Sequence, residues 1–313
     1  MKSRAKQTQH KTAGALCGEV EMVNLGPRRI DLDLTLQSGQ AFHWVREGGG
    51  WLGMVGPCPA YVEMRDGEFW SEASAASVVA DYFSLDHPLE DIEQSFPADE
   101  AMQKALHFCR GMRILRQPRW EALATFITSS MKQVAHIAQI SHMLRSRFGR
   151  PARFGDRTLH AYPTPLEMAA LTETDLRACA LGYRAKNLLG AARLVAEGKV
   201  DLDAVAALPD EEARRELERL PGVGEKVANC ALLFGFERLR SFPVDVWIER
   251  VLREKYFSKR RNVTASMLRT FCAKAFGPYG GYAQQYLFHH ARLTWKKGGG
   301  SRSGNQRLRR ETP

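Results

Sequence analysis

The hydrophobic pattern of this 313-residue chain changes period once, near residue 75, and that change restricts the fold to a sheet followed by helices. Residues 30–72 read as strands. Ile30-Asp-Leu-Asp-Leu-Thr-Leu36 alternates apolar and polar side chains, as a half-buried strand does. Trp51-Leu-Gly-Met-Val55 and Tyr61-Val-Glu-Met64 follow, with turn signals at Gly48-Gly49-Gly50 and Asp66-Gly67. Beyond residue 75 the repeat becomes helical. Ala76 to Phe83 opens this region, and Trp120, Leu123, Ala124, Ile127, Ile137, Ile140 and Leu144 recur at three- and four-residue spacing. Breakers at Pro118, Pro151, Pro163, Pro165, Pro209, Pro221 and Pro243 partition the helices, and no internal repeat is present. The expected class is α+β: an antiparallel sheet domain with helices over residues 15–112, then an all-helical domain over 113–295.

Charge is concentrated at the two ends. The chain carries a formal +10, of which residues 1–14 hold +4 and residues 296–313 hold +5, leaving the body near neutral. Both ends read as disordered basic tails, the second containing Gly298-Gly-Gly-Ser-Arg-Ser-Gly304. Such tails attract any polyanion through counterion release, without specificity, and serve solubility equally well. No apolar run approaches the roughly 18 to 20 residues of a membrane span. Met1-Lys-Ser-Arg-Ala-Lys6 lacks the apolar stretch of a signal peptide, so an intracellular, reducing compartment is expected. Six scattered cysteines (17, 58, 109, 179, 230 and 272) include no close pair of the kind that metal sites and iron–sulfur clusters use. Free thiols, no metal and no cofactor follow as expectations.

Leu220-Pro-Gly-Val-Gly-Glu-Lys-Val-Ala-Asn-Cys230 is the most informative segment. It follows a polar helix from Asp210 to Arg219 and opens an apolar one running to about Phe234. Two helices joined by Pro-Gly-x-Gly form a helix–hairpin–helix. Gly222 and Gly224 allow a tight turn and close approach. The second helix then points unpaired N–H groups and its positive end outward from about Gly224 to Val227, a site that fits a DNA phosphate without reading sequence. A plain αα-corner is the alternative. Lys226 lies in the first turn, where the positive helix end disfavours an ammonium, and an uncharged lysine attacks an anomeric carbon and forms a Schiff base. Cys230 shares its face, four residues on. A solvated surface lysine is the ordinary alternative.

Nineteen residues after Lys226 comes Asp245, within Phe242-Pro-Val-Asp-Val-Trp247 and ahead of the periodic Ile248, Val251 and Leu252. A helix N-cap alone accounts for an Asp there. A carboxylate facing a nucleophilic lysine is also what glycosidic cleavage needs, because its transition state resembles an oxocarbenium ion.

With these segments in place, the chain resembles the helix–hairpin–helix DNA glycosylases that carry a Gly/Pro-rich loop and a distal Asp, and among them the 8-oxoguanine DNA glycosylase/AP lyases. The likeness covers about residues 20–295. It rests on Leu36-Gln-Ser-Gly-Gln-Ala-Phe-His-Trp44, Asp81-Tyr-Phe-Ser-Leu-Asp86, Gly111-Met-Arg-Ile-Leu-Arg-Gln117, Phe126-Ile-Thr-Ser-Ser130, Leu181-Gly-Tyr-Arg-Ala185, Leu220 to Cys230, and Gly277-Pro-Tyr-Gly-Gly-Tyr-Ala-Gln284, in that order. It implies a TBP-like sheet domain before the helical glycosylase domain, and duplex DNA containing an oxidised purine as the partner of a monomer in nucleoid, cytoplasm or nucleus. By position, Lys226 becomes the attacking amine and Asp245 the catalytic carboxylate. The Gly39 carbonyl accepts the N7–H that oxidised guanine has and guanine lacks, a contact worth about 1–3 kcal/mol. Phe288 stacks on the flipped base, Gln284 bonds its Watson–Crick edge, and Cys230 packs on the other face. Tyr183 wedges into the stack and Arg184 holds the estranged cytosine. Without the resemblance, Phe288 and Tyr183 read as core and Gly39 as a turn glycine.

The chain departs from the family pattern at four places. Its asparagines after Ser-Ser are Met131-Lys132-Gln133 here, and its cytosine-reading arginine partner is His136. Its phosphate-contacting histidine is Trp247, and the aspartate that supports that histidine is Ala291. Weaker discrimination of the opposite base is expected, with Met131 serving as an apolar wedge. A monofunctional glycosylase acting through activated water, and a non-catalytic duplex-binding protein, are the two other readings.

Overall fold

The computed structural model describes residues 20–129, 133–260 and 262–295. The basic ends and Met131 therefore lie outside the described residues. Five antiparallel strands form one sheet in the order β1-β5-β4-β3-β2. They are β1 (Met22–Pro27), β2 (Val45–Glu47), β3 (Gly50–Val55), β4 (Cys58–Arg65) and β5 (Glu68–Glu72). The β4–β5 hairpin turns through Asp66 and Gly67, both at positive φ (49° and 79°), the primed geometry that matches strand twist. One sequence expectation fails here. Ile30–Leu36 is not a strand; it contributes to helix α1 (Leu32–Gln37), capped by Asp31, whose carboxylate accepts from Leu34 N at 2.8 Å. The buried positions Leu32, Thr35 and Leu36 follow helical spacing. A short apolar run fits both periods, and the cap decides.

Helices α2 (Ala76–Tyr82), α3 (Leu89–Gln94) and α4 (Glu100–Cys109) follow the sheet. Trp44, Trp51, Phe69, Tyr82, Phe83 and Leu115 form the core between the sheet and α1 and α2. Next come α5 (Arg119–Thr128), α6 (Val134–Phe148), the hairpin β6 (Pro151–Phe154) and β7 (Arg157–His160), α7 (Pro165–Ala169), α8 (Glu173–Arg177), α9 (Arg184–Ala196) and α10 (Leu202–Ala207). The last set is α11 (Asp210–Glu218), α12 (Glu225–Gly235), α13 (Val246–Val251), α14 (Ala265–Phe276) and α15 (Gly280–Thr294). The β6–β7 hairpin interrupts the otherwise helical region and packs on β4. Within the larger core, α5 is buried without a break from Trp120 to Thr128, and α12 packs along it. A helix hydrophobic on all sides must sit at the centre of its domain.

Arg116 ties the two halves together. Its guanidinium holds Asp86 at 2.7 and 2.8 Å, Asp81 at 3.2 Å and, from beyond α12, Glu237 at 2.5 Å. No helix among the described residues is long and apolar enough to cross a membrane. Among those residues no cluster of metal-ligating side chains occurs, and Cys58, Cys109, Cys179, Cys230 and Cys272 are free thiols.

Candidate active site

The α11–α12 hairpin has the geometry its sequence implies. Gly222 sits at φ +81°, and a Cβ there would lie 2.8 Å from the Asn187 side chain, so conformation and space both require glycine. Gly224 differs: its φ of −105° is open to any residue, and a Cβ would meet nothing within 4 Å. It caps α12 without a side chain, and the first intrahelical bond is Ala228 N–H to Gly224 O at 2.9 Å. The N–H groups of Glu225, Lys226 and Val227 precede that bond, as expected of an uncapped helix start. Val227 can offer only its backbone, because its side chain is buried in the core.

Lys226 extends from this first turn toward the C-terminal end of α5. Its Nζ donates to Ser129 Oγ at 3.3 Å and lies 5.2 Å from the centre of the Phe126 ring. Ser129 Oγ in turn donates to Phe126 O at 2.8 Å, which fixes the hydroxyl's lone pairs toward the amine. The Cys230 thiol is pushed upward by burial, with the nearby lysine opposing that shift. Asp245 is the N-cap of α13, accepting from Ile248 N at 2.8 Å. Burial raises its carboxyl above the ordinary range, while the Ile248 N–H and the Lys226 charge pull the other way.

These groups open on one small cavity of about 40 Å³, lined by Gly39, Phe126, Lys226, Cys230, Phe234, Pro243, Asp245, Gln284, Gln285 and Phe288. All six candidates for chemistry and base reading thus meet in one place, contributed by α12, α13, α15 and the turn after α1. Gln284 is 4% exposed, and its Oε1 is buried with no hydrogen-bond partner among the described residues. Leaving such an acceptor unpaired costs about 1–3 kcal/mol, the signature of a group kept for a ligand. Gly39 takes φ +87°, and a Cβ there would lie 3.3 to 3.4 Å from Val134, Arg292 and Phe288. It is a glycine forced by conformation and crowding at the pocket wall. The cavity has room for about one water molecule, not a purine, so a base enters only when a wall moves.

The DNA-facing candidates lie apart from the cavity. Tyr183 is 60% exposed at the start of α9, so it is not a core residue. Arg184 is buried, with its guanidinium 4.4 Å from the Tyr183 ring. His136 and Trp247 are half-buried in the first turns of α6 and α13, with Trp247 against the helical core, and Ala291 is buried on α15. Sequence reasoning missed Phe126, Ser129, Phe234 and Gln285 as site residues. The first two stand in the quoted Phe126–Ser130 segment, but only tertiary packing carries them under Lys226.

Comparison with known proteins agrees across most of the chain. The family described as 8-oxoguanine DNA glycosylase, N-terminal domain, matches residues 22–123. The HhH-GPD superfamily base excision DNA repair family matches residues 124–278. A "Probable N-glycosylase/DNA lyase" of Methanothermobacter thermautotrophicus is 28% identical over 296 residues, covering 84% of this chain and 94% of its own. The N-glycosylase/DNA lyase of Saccharomyces cerevisiae is 31% identical over 242 residues, 66% of this chain and 64% of its own. Among solved structures, the Clostridium acetobutylicum 8-oxoguanine glycosylase/lyase bound to double-stranded DNA with cytosine opposite 8-oxoG superposes with a TM-score of 0.81. It is 27% identical, over 91% of this chain and 97% of its own. With the two domain families matched in order and this fold shared over 91% of the chain, the chain belongs to the 8-oxoguanine DNA glycosylases of the HhH-GPD superfamily.

Proposed function

We propose that this chain is a bifunctional DNA glycosylase and AP lyase of base excision repair, which excises 8-oxoguanine from duplex DNA and then nicks the strand. One observation carries the reading: an amine, a carboxylate and an unpaired buried amide oxygen share a single pocket behind a helix–hairpin–helix. Duplex backbone docks on the N–H groups at the start of α12. The lesion leaves the stack at a cost of a few kcal/mol and enters between Phe288 and Cys230. Gln284 Oε1 gains a donor from the base edge, and the Gly39 carbonyl accepts N7–H.

Once its ammonium proton has passed to solvent, Lys226 Nζ attacks C1′. The C1′–N9 bond breaks, and the base departs with that electron pair and takes up a proton. The Asp245 carboxylate stabilises positive charge developing on the sugar. Ring opening gives the imine, which acidifies C2′–H, and loss of that proton expels the 3′ phosphate. Tyr183 fills the gap left in the stack, and Arg184 and His136 face the estranged base. Trp247 borders the phosphate path that the start of α13 shares with α12. An enzyme of this kind works wherever chromosomal DNA is kept, in nucleoid or nucleus.

The test is one incubation with duplexes carrying 8-oxoguanine, an alkylated purine or a mismatch. Release of 8-oxoguanine together with strand cleavage is expected. Release of another base without nicking overturns the assignment.

A further inference from the structure

Helix α15 presents two functional stripes, which meet at the pocket edge where Gln285 lies beside Gln284. Gln284 and Phe288, four residues apart, form the first. The second comprises Gln285, His289 and Arg292, spaced by four and three residues and therefore also on one face. All three reach the same short stretch of backbone from the other half of the molecule. Gln285 Nε2 donates to Ser38 O at 3.1 Å. Arg292 Nη2 donates to Gln37 O at 2.8 Å and to His289 Nδ1 at 3.0 Å. His289 makes a further hydrogen bond with the Ser38 backbone. The turn they hold ends at Gly39, where an added Cβ would lie 3.4 Å from both Arg292 and Phe288.

We infer that the Gln285–His289–Arg292 face of α15 is a positioning device for lesion recognition. It fixes the Gln37–Gly39 backbone, so that Gly39 keeps its place while the facing wall opens to admit a base. The inference rests on the proposed reading of the pocket as an 8-oxoguanine site.

Two features support it. Gln285 and His289 are buried, which gives their bonds the strength of a low-dielectric setting. His289 is held down to about 4 by burial and by the Arg292 charge. Near neutral pH its ring is therefore uncharged, and Nδ1 accepts from Arg292 instead of repelling it. The pocket itself is too small for a purine, so admitting one displaces part of its lining. Phe288 is half-buried, held against the helical core by packing, with its ring centre 5.6 Å from the Arg292 guanidinium carbon. The Gln37–Gly39 turn is tied by hydrogen bonds and Phe288 is not, so the aromatic wall yields first. None of the three side chains needs to touch DNA for this role.

Single-turnover rates of Arg292→Leu and, separately, His289→Leu test the inference, each measured on an 8-oxoguanine duplex and on a duplex with a preformed abasic site. Cleavage at the abasic site uses the lysine but reads no base. Both variants are expected to lose about tenfold in 8-oxoguanine excision, the loss of one discriminating hydrogen bond, while abasic-site cleavage stays within about twofold. Arg292→Lys, which retains a donor for Gln37 O, recovers part of the loss. Parallel falls on both substrates, or unchanged excision in both variants, overturn the positioning role. If the unaltered protein cleaves abasic sites but ignores 8-oxoguanine, the pocket assignment fails first and the positioning role with it.

Discussion

Asp245→Asn separates the two jobs the structure gives one carboxylate. As the N-cap of α13, Asp245 accepts from Ile248 N at 2.8 Å, and an asparagine Oδ1 in the same place accepts equally well. The loss of negative charge at the helix start costs about 0.3–1 kcal/mol. Burial opposes this, because it raises the Asp245 carboxyl above its unfolded value. For an acid with a raised folded pKa, the protonated form folds better, and that advantage is lost as pH rises through the folded value. At neutral pH the buried charge is thus a burden that asparagine removes. The two contributions offset each other, and the melting temperature should move by no more than about 2 °C. Excision should behave differently. Removing a preorganised charge aimed at developing oxocarbenium character costs about 10²–10³-fold in rate. The assays are a thermal melt, fluorescence anisotropy with an abasic-analogue duplex, and single-turnover excision at pH 7. A large drop in melting temperature alongside the lost activity would show that the residue only caps a helix. Excision retained within about threefold would show that its charge does no catalytic work.

Three further predictions follow from other groups. Borohydride should trap a covalent protein–DNA complex, and Lys226→Gln should abolish it while retaining duplex binding; an undiminished adduct removes Lys226 from its role. Gly39→Ala should cost about 1–2 kcal/mol for a side chain at φ +87°, and should depress 8-oxoguanine excision more than abasic-site cleavage, as compared by strand nicking. Stability should decline as pH falls from about 6.5 toward 4, because burial holds His43, His87 and His289 below the ordinary imidazole value, the last at about 4. The unfolded chain takes up protons there that the folded chain refuses, so calorimetry should register proton uptake on unfolding, absent if these rings titrate normally.

What could be read from the sequence was what local sequence controls. The α11–α12 hairpin is set by its own Pro-Gly-x-Gly, and the Asp245 cap by its place before a periodic run. Most pocket residues were reached through resemblance, since nothing in spacing alone brings Gly39 to Lys226 across 187 positions. Ile30–Leu36 reads as a strand because seven residues cannot distinguish a period of 2 from one of 3.6 when the apolar positions satisfy both. Strands β1 and β5 and the β6–β7 hairpin gave no clean alternation. Ser129 and Phe126 acquire their place under the amine only through the packing of α5 on α12. The Gln285–His289–Arg292 stripe was invisible for a related reason: its partners are backbone carbonyls, which carry no sequence signal.

The tightness of the resting pocket bears on what can occupy it. A ligand that binds only the widened form has its apparent affinity reduced by the fraction of molecules in that form. A free purine, lacking the backbone contacts that a bound duplex supplies, has nothing to offset that reduction. Excised base should therefore be a feeble inhibitor, and its departure should be driven by recoil of the aromatic wall. Compounds chosen for fit to the closed protein would miss the site, whereas those shaped to the widened form would match it.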